Sequence, residues 1–194
     1  MDKKAAIFNS GRELFSAKGF KDTSVSEITK MAGIGVGTFY NYYSSKEELF
    51  LEIFIEENEK LKKSIVGSLD LNDDPVTLVK KAVALNISGM NSNPIMKEWY
   101  NRDVFSKLEQ YYYERGGVES FNDDFMRSFG TELLKKGRAK GIIRDDIDDE
   151  LMLAFFKALA YLDVHKREIG VQHFPQIIYY LAEFIMKGLT DCQK

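Results

Sequence analysis

A chain of 194 residues with 44% apolar and 29% charged residues has the make-up of one sizeable globular domain, or of a small module fused to a larger one. No apolar run approaches the roughly 18 to 20 residues of a membrane span, "MDKKAAIFNSGRELF" lacks a signal region, and the single cysteine, Cys192, excludes an intrachain disulfide, so a cytoplasmic location is expected. Net charge is −3, but residues 1–46 hold seven Lys/Arg against four Asp/Glu and the remainder 20 against 26, a weakly basic head on an acidic body.

Three prolines and sustained helical spacing predict an all-α protein of about nine helices. Residues 3–18 place Ile7, Gly11, Leu14 and Phe15 on one face, and Gly19 suits the left-handed position after a helix end, with Phe20 folding back onto Phe15. In "TSVSEITKMAGIG", Ser24 and Glu27 make a capping box that opens a short helix to about Ala32. Gly33 ends it, and a second short helix is expected over residues 36–43. Two short helices about a glycine-containing turn are a helix-turn-helix pattern. Ser45 and Glu48 form another box at the start of a long helix to about Val66. Asp74 and Pro75 open the next helix, "NSNP" breaks it, and one or two short helices are expected within 95–115. A longer helix then carries Phe121, Phe125, Phe129 and Leu133 at four-residue spacing. After "GIIRDDIDD", two last helices are expected at about 149–168 and 174–190.

The string "GVGTFYNYYSSKEELF" crowds aromatics into a short segment opened by glycine. Phe39 and Tyr43, four residues apart, can pack inward with Ile34, which leaves Val36, Thr38, Tyr40, Asn41 and Tyr42 on the other sides. A helix over 36–43 is about 12 Å long, comparable with the width of a DNA major groove. Hydroxyl, amide and compact apolar groups match base edges, the thymine methyl and phosphate oxygens. Gly35 and Gly37 let the backbone come close to another surface. Lys46 stands in the first turn of a helix, where a cation is disfavoured by about 0.3–1 kcal/mol unless an anion such as phosphate lies nearby.

Through Thr23, Val25, Ile28, Ala32, Gly33, Gly37, Thr38, Tyr40, Tyr43, Ser45, Lys46 and Leu49 this segment resembles the DNA-binding signature of the tetracycline-repressor (TetR) family. The resemblance implies an N-terminal three-helix head, residues 1–46, and a helical effector-binding and dimerisation body, residues 47–194. Contacts to a double-stranded DNA operator are expected from Thr23, Ser24, Gly35, Val36, Gly37, Thr38, Tyr40, Asn41, Tyr42 and Lys46, the resemblance implying those of Tyr40 and Lys46 most directly; the alternatives are helix capping for Thr23 and Ser24 and core packing for Tyr40 and Tyr42. The resemblance further implies a homodimer on a palindromic operator, repression released by a small effector, and no cofactor. Gly35 and Val36 depart from the capping and polar residues frequent at those places in the family, which removes possible hydrogen bonds to DNA.

In the body, Leu151, Phe155, Ala158, Leu159 and Leu162 line one of the last two helices, and Ile177, Leu181, Phe184 and Ile185 line the other. They are the expected dimer surface, the alternative being packing within one chain. Trp99, Tyr100, Phe105, Tyr112, Phe121, Phe125, Phe129 and Phe156 either line an apolar effector pocket or fill a core. Enzymatic chemistry finds no support. The run "RDDIDDE" reads as helix capping, His165 and His173 are the only histidines, and no phosphate loop, nucleophile elbow or zinc spacing occurs, so no catalytic or metal-binding residue is expected.

Overall fold

The computed structural model describes residues 2–101, 103, 104, 106–108, 111 and 124–190, with the side chains of 124–129, 160, 163 and 164 outside the description. Among the described residues the chain is all-helical. It runs α1 (Lys3–Lys18), α2 (Val25–Met31), α3 (Val36–Phe39), α4 (Lys46–Ser68), α5 (Pro75–Ser92) and α6 (Pro94–Lys97), the last followed by a 3₁₀ turn at Glu98–Tyr100. Then come α7 (Asp124–Ala139), α8 (Asp149–Val164), α9 (Lys166–Ile169), a 3₁₀ turn at Val171–His173, and α10 (Gln176–Thr190). Packing divides the chain into two compact units, Met1–Leu61 with Gly89–Asn122, and Lys62–Ser88 with Asp123–Lys194. Residues 1–46 lie in the first unit, whose core also takes in the start of α4 and the stretch after α5.

In the first unit, Asp2 caps α1 by accepting from the amides of Lys4 and Ala5. Gly19 ends that helix at φ +82°, a value that L side chains rarely adopt, and donates its N–H to the Phe15 carbonyl. The turn brings Phe20 back to 6.0 Å from Phe15, and Phe50 of α4 meets both rings edge-on at 5.0 Å. Ile7, Ile28, Leu49 and Ile53 extend this buried cluster, and Ile95, Met96, Val104 and Leu108 join it from far along the chain. Asn93 caps α6 through Oδ1 while its Nδ2 donates to Glu57, and Arg12 pairs with both Glu56 and Glu57. Trp99 stacks on Phe54 at 4.8 Å.

The second unit is built around Leu134, Ile143, Met152, Met186 and Leu189, with Leu159, Ile178 and Ala182 forming a further cluster. The acidic turn before α8 is tied down by Arg138, whose guanidinium donates to the carbonyls of Arg144 and Ile147 and pairs with Asp149 at 2.5 Å. Asp148 accepts from the Leu151 amide and caps α8, as the acidic run led one to expect. The last two helices are shorter than expected. α8 stops at Val164, and Gly170 at φ +117° separates the single-turn α9 from the 3₁₀ turn that precedes α10.

Because Phe50 is fully buried between two other rings, Phe50→Ala is expected to lower stability by about 3–5 kcal/mol. A urea melt followed by the CD of the full chain checks this.

Candidate nucleic-acid interface

The capping box at Ser24 forms in full. The Ser24 hydroxyl accepts from the Glu27 amide at 3.3 Å, and the Glu27 carboxylate accepts from the Ser24 amide at 2.9 Å. Glu27 also pairs with Lys18 at 2.5 Å, so that ammonium together with the Ser24 hydroxyl and amide lowers its pKa from the ordinary 4.5 to about 2. The second expected box forms only by half. Ser45 caps α4 through the Glu48 amide, but the Glu48 carboxylate reaches one residue further back, to the amide and hydroxyl of Ser44.

The segment over 36–43 is shorter as regular helix than the sequence suggested. Only Val36–Phe39 is α-helical, and a hydrogen-bonded turn follows in which Phe39 O accepts from both Tyr42 N (2.9 Å) and Tyr43 N (3.0 Å). The in-and-out alternation is as expected. Phe39 and Tyr43 are fully buried, their rings 5.8 Å apart, against Ile28 and the partly buried Ile34. Facing away are Val36, Tyr40 and Tyr42, at 45%, 56% and 41% exposure, large values for such side chains, together with exposed Asn41 and half-buried Thr38. Gly35 and Gly37 are exposed, and a Cβ at either would meet nothing within 4 Å. Nothing inside the described protein requires those two residues to be small. The surface offered is thus two glycines, a valine, a threonine, an asparagine and two tyrosines, and residues 31–45 carry no charge at all.

Thr23 and Lys46 have internal duties that sequence reading did not reveal. Thr23 is buried and its hydroxyl donates to the Gly19 carbonyl at 2.8 Å, so its side chain does not stand on the exposed face. Lys46 Nζ donates to the carbonyls of Phe20 (2.8 Å) and Thr23 (2.7 Å) and lies 4.2 Å from the Phe20 ring centroid. Burial holds the Lys46 ammonium below the usual lysine pKa. These acceptors offset the unfavourable helix dipole, and two of the three ammonium donors are already used. The pairing spans 23 and 26 residues, so no local pattern could have shown it.

In the second unit the two final helices pack on each other, and their apolar residues divide between two faces. Leu159, Leu162, Ile177, Leu181 and Ile185 pack inward, with half-buried Phe155 beside the neighbouring cluster. Leu151, Ala158 and Phe184 face out, joined by exposed Tyr161 and Tyr180, two residues that the sequence reading missed. Tyr180 and Phe184 stack at 6.2 Å on this outer face. Of the aromatics expected around a pocket, Trp99 and Tyr100 pack on the core of the first unit and Phe156 on those of the second. Phe105, Tyr112 and Phe121, and the side chains of Phe125 and Phe129, lie outside the described residues. An open depression on the second unit is lined by Gln172, His173, Gln176, Ile177 and the same Tyr180.

With Glu27 held at a depressed pKa, its stabilising effect is complete above about pH 4.5 and is lost as the pH falls towards 2. Acid titration by CD is expected to show wild type losing more stability than Glu27→Gln across that window.

Residues 7–53 match the family described as bacterial regulatory proteins, tetR family. Over 184 residues, 93% of this chain and 87% of the other, the sequence is 24% identical to the HTH-type transcriptional repressor KstR2 of Mycolicibacterium smegmatis. It is 27% identical over 120 residues to the uncharacterized HTH-type transcriptional regulator YhgD of Bacillus subtilis, covering 57% of this chain but only 63% of that one. The fold is similar to that of RolR in the crystal structure of its complex with resorcinol, with a TM-score of 0.68 at 18% identity over 96% of this chain and 87% of that chain. Residues 7–53 are thus a helix-turn-helix segment of the tetR family of bacterial regulatory proteins, in a chain that is all-helical among its described residues and similar over most of its length to an HTH-type transcriptional repressor.

Proposed function

We infer that the protein binds a palindromic DNA operator as a homodimer, acting as a repressor that a small hydrophobic or aromatic effector releases. The observation that carries the DNA-binding surface is the segment from Gly35 to Tyr42. It shows solvent two glycines with open space, an amide and two tyrosines, while Phe39 and Tyr43 anchor it from within. Asn41 and the hydroxyl of Thr38 suit base edges, Val36 suits a thymine methyl, and the hydroxyls of Tyr40 and Tyr42 suit phosphates. The exposed Ser24 and its capped helix end present a second group to the backbone. Thr23 and Lys46 serve this surface chiefly by holding the turn that leads into α2, with one ammonium donor of Lys46 left for a phosphate.

Few base contacts fit on so short a segment, and each is worth about 1–3 kcal/mol, so discrimination calls for two copies on one duplex. The outward stripe of Leu151, Ala158, Tyr161, Tyr180 and Phe184 supports dimerisation, since an apolar face of that kind is normally covered. RolR was crystallised with resorcinol, which favours an aromatic effector for the body, residues 47–194. Effector binding and DNA binding would oppose each other reciprocally, through α4, a helix whose residues, like those of α5, belong to both units. This regulation would take place in the cytoplasm, where operator DNA is found, and would involve no catalytic step.

The test uses a duplex selected by the wild-type protein from a random library. Gly37→Ala is expected to raise helix stability by up to about 1 kcal/mol yet weaken binding to that duplex, because the added methyl stands between backbone and DNA. A Gly37→Ala protein that binds as well as wild type would contradict the placement of the interface. On the dimer, Phe184→Glu is expected to turn a dimer into a monomer by light scattering coupled to size exclusion, and an unchanged mass would reject that face.

A further inference from the structure

Phe20 is the residue at which the chain turns from α1 towards α2, and both of its flanking peptide groups are held by ionisable side chains. Its carbonyl accepts from Lys46 Nζ at 2.8 Å, and its N–H donates to Glu98 Oε1 at 3.2 Å. Glu98 lies 78 residues further on, in the 3₁₀ turn after α6. These two bonds fall on the peptide planes either side of the Phe20 Cα, so together they fix its φ and ψ. The apolar cluster around the ring cannot do this alone, because burial is non-directional whereas a hydrogen bond to a carboxylate has a preferred line.

Room for the carboxylate is provided by Gly19. A Cβ there would stand 2.6 Å from Glu98 Oε1, and at φ +82° a side chain would be strained in any case. The second carboxylate oxygen accepts from Asn101 Nδ2 at 3.3 Å, which steadies Glu98 within its own turn. A neighbouring pair, Lys21 with Asp103 at 2.6 Å, joins the same two segments but is exposed on both sides and contributes little.

We propose that Glu98 is a positioning residue for DNA binding: by fixing the Phe20 peptide it sets the entry into α2, and hence the placement of Ser24 and the Gly35–Tyr42 surface against α1 and α4. It touches no DNA itself. The proposal rests on the DNA-binding reading above and deepens it, by making the head's binding geometry depend on a segment far outside the helix-turn-helix. A change in the turn after α6 thereby acts on DNA affinity without any contact to DNA.

Three variants of the full chain separate the roles of charge, reach and bulk. Glu98→Gln keeps an acceptor at the same reach and gives up the charge. Glu98→Asp keeps the charge and falls one methylene short, and Glu98→Ala removes both. Two quantities are read, namely the hydrogen-exchange rate of the Phe20 amide and the affinity for the duplex selected by wild type. Glu98→Gln is expected to match wild type in both. Glu98→Asp and Glu98→Ala are expected to free the Phe20 amide and weaken DNA binding by about tenfold, an ordinary coupling between sites, with helical content unchanged. Should the alanine variant fail to fold, the aspartate variant carries the test. An unchanged Phe20 amide in Glu98→Asp would show that the bond does not hold the turn, and wild-type affinity beside a freed amide would show that the turn does not position the head. Either result overturns the proposal, as does a glutamine variant that behaves like alanine. A wild-type protein that selects no duplex would remove the DNA-binding reading itself, while the amide exchange still reports on the latch.

Discussion

The fold of the head depends on how one phenylalanine is seated. Phe20 follows a glycine in the left-handed region, and its buried ring meets Phe15 and Phe50. This contact joins α1 to α4 across the short helices that lie between them in sequence. With the ring fixed, the peptide groups around it become points where distant charged side chains can attach. Lys46 uses the carbonyl and the ring face, and Glu98 uses the amide. The geometry of α2 and α3 is then set by groups that stand outside both helices. Hydrophobic burial supplies most of the stabilisation, and the charged hydrogen bonds supply the direction.

That arrangement explains why the presented surface can be made of residues with so little structural purpose. Four residues of regular helix cannot hold themselves together in water. Phe39 and Tyr43 do the holding from beneath, so Val36, Tyr40, Asn41 and Tyr42 are free to be chosen for what they meet. In the proposed interface, the absence of charge from residues 31–45 leaves electrostatic attraction for phosphate to cations outside that stretch. Lys3, Lys21 and Lys30 are exposed, and under the proposed role any affinity from such residues falls with added salt while the uncharged patch supplies selectivity.

Local signals were the ones legible in the sequence. Gly19, the Ser24–Glu27 box, the Asp74–Pro75 start and the capping acids before α8 are all written within four residues of where they act, and each forms. The in-and-out pattern of the four aromatics was legible for the same reason, since spacing alone separates Phe39 and Tyr43 from Tyr40 and Tyr42. What could not be read were partners distant along the chain: the acceptors of Lys46, the reach of Glu98 to Phe20, and the grip of Arg138 on the turn before α8. The two faces of α8 and α10 were blurred for a different reason. Apolar residues occur on most sides of both helices, so periodicity could not tell Leu159 and Leu181, which pack inward, from Tyr161 and Tyr180, which do not.

The account stands on the Gly35–Tyr42 segment being the part of the chain that meets duplex DNA. Amide chemical shifts of the isotope-labelled protein, followed while the selected duplex is added, test this most directly. Large changes confined to Ser24 and the amides of 35–42, with α10 unmoved except by dimer-wide effects, are the expected result. Changes centred on any other surface while the 35–42 amides stay in place would contradict it.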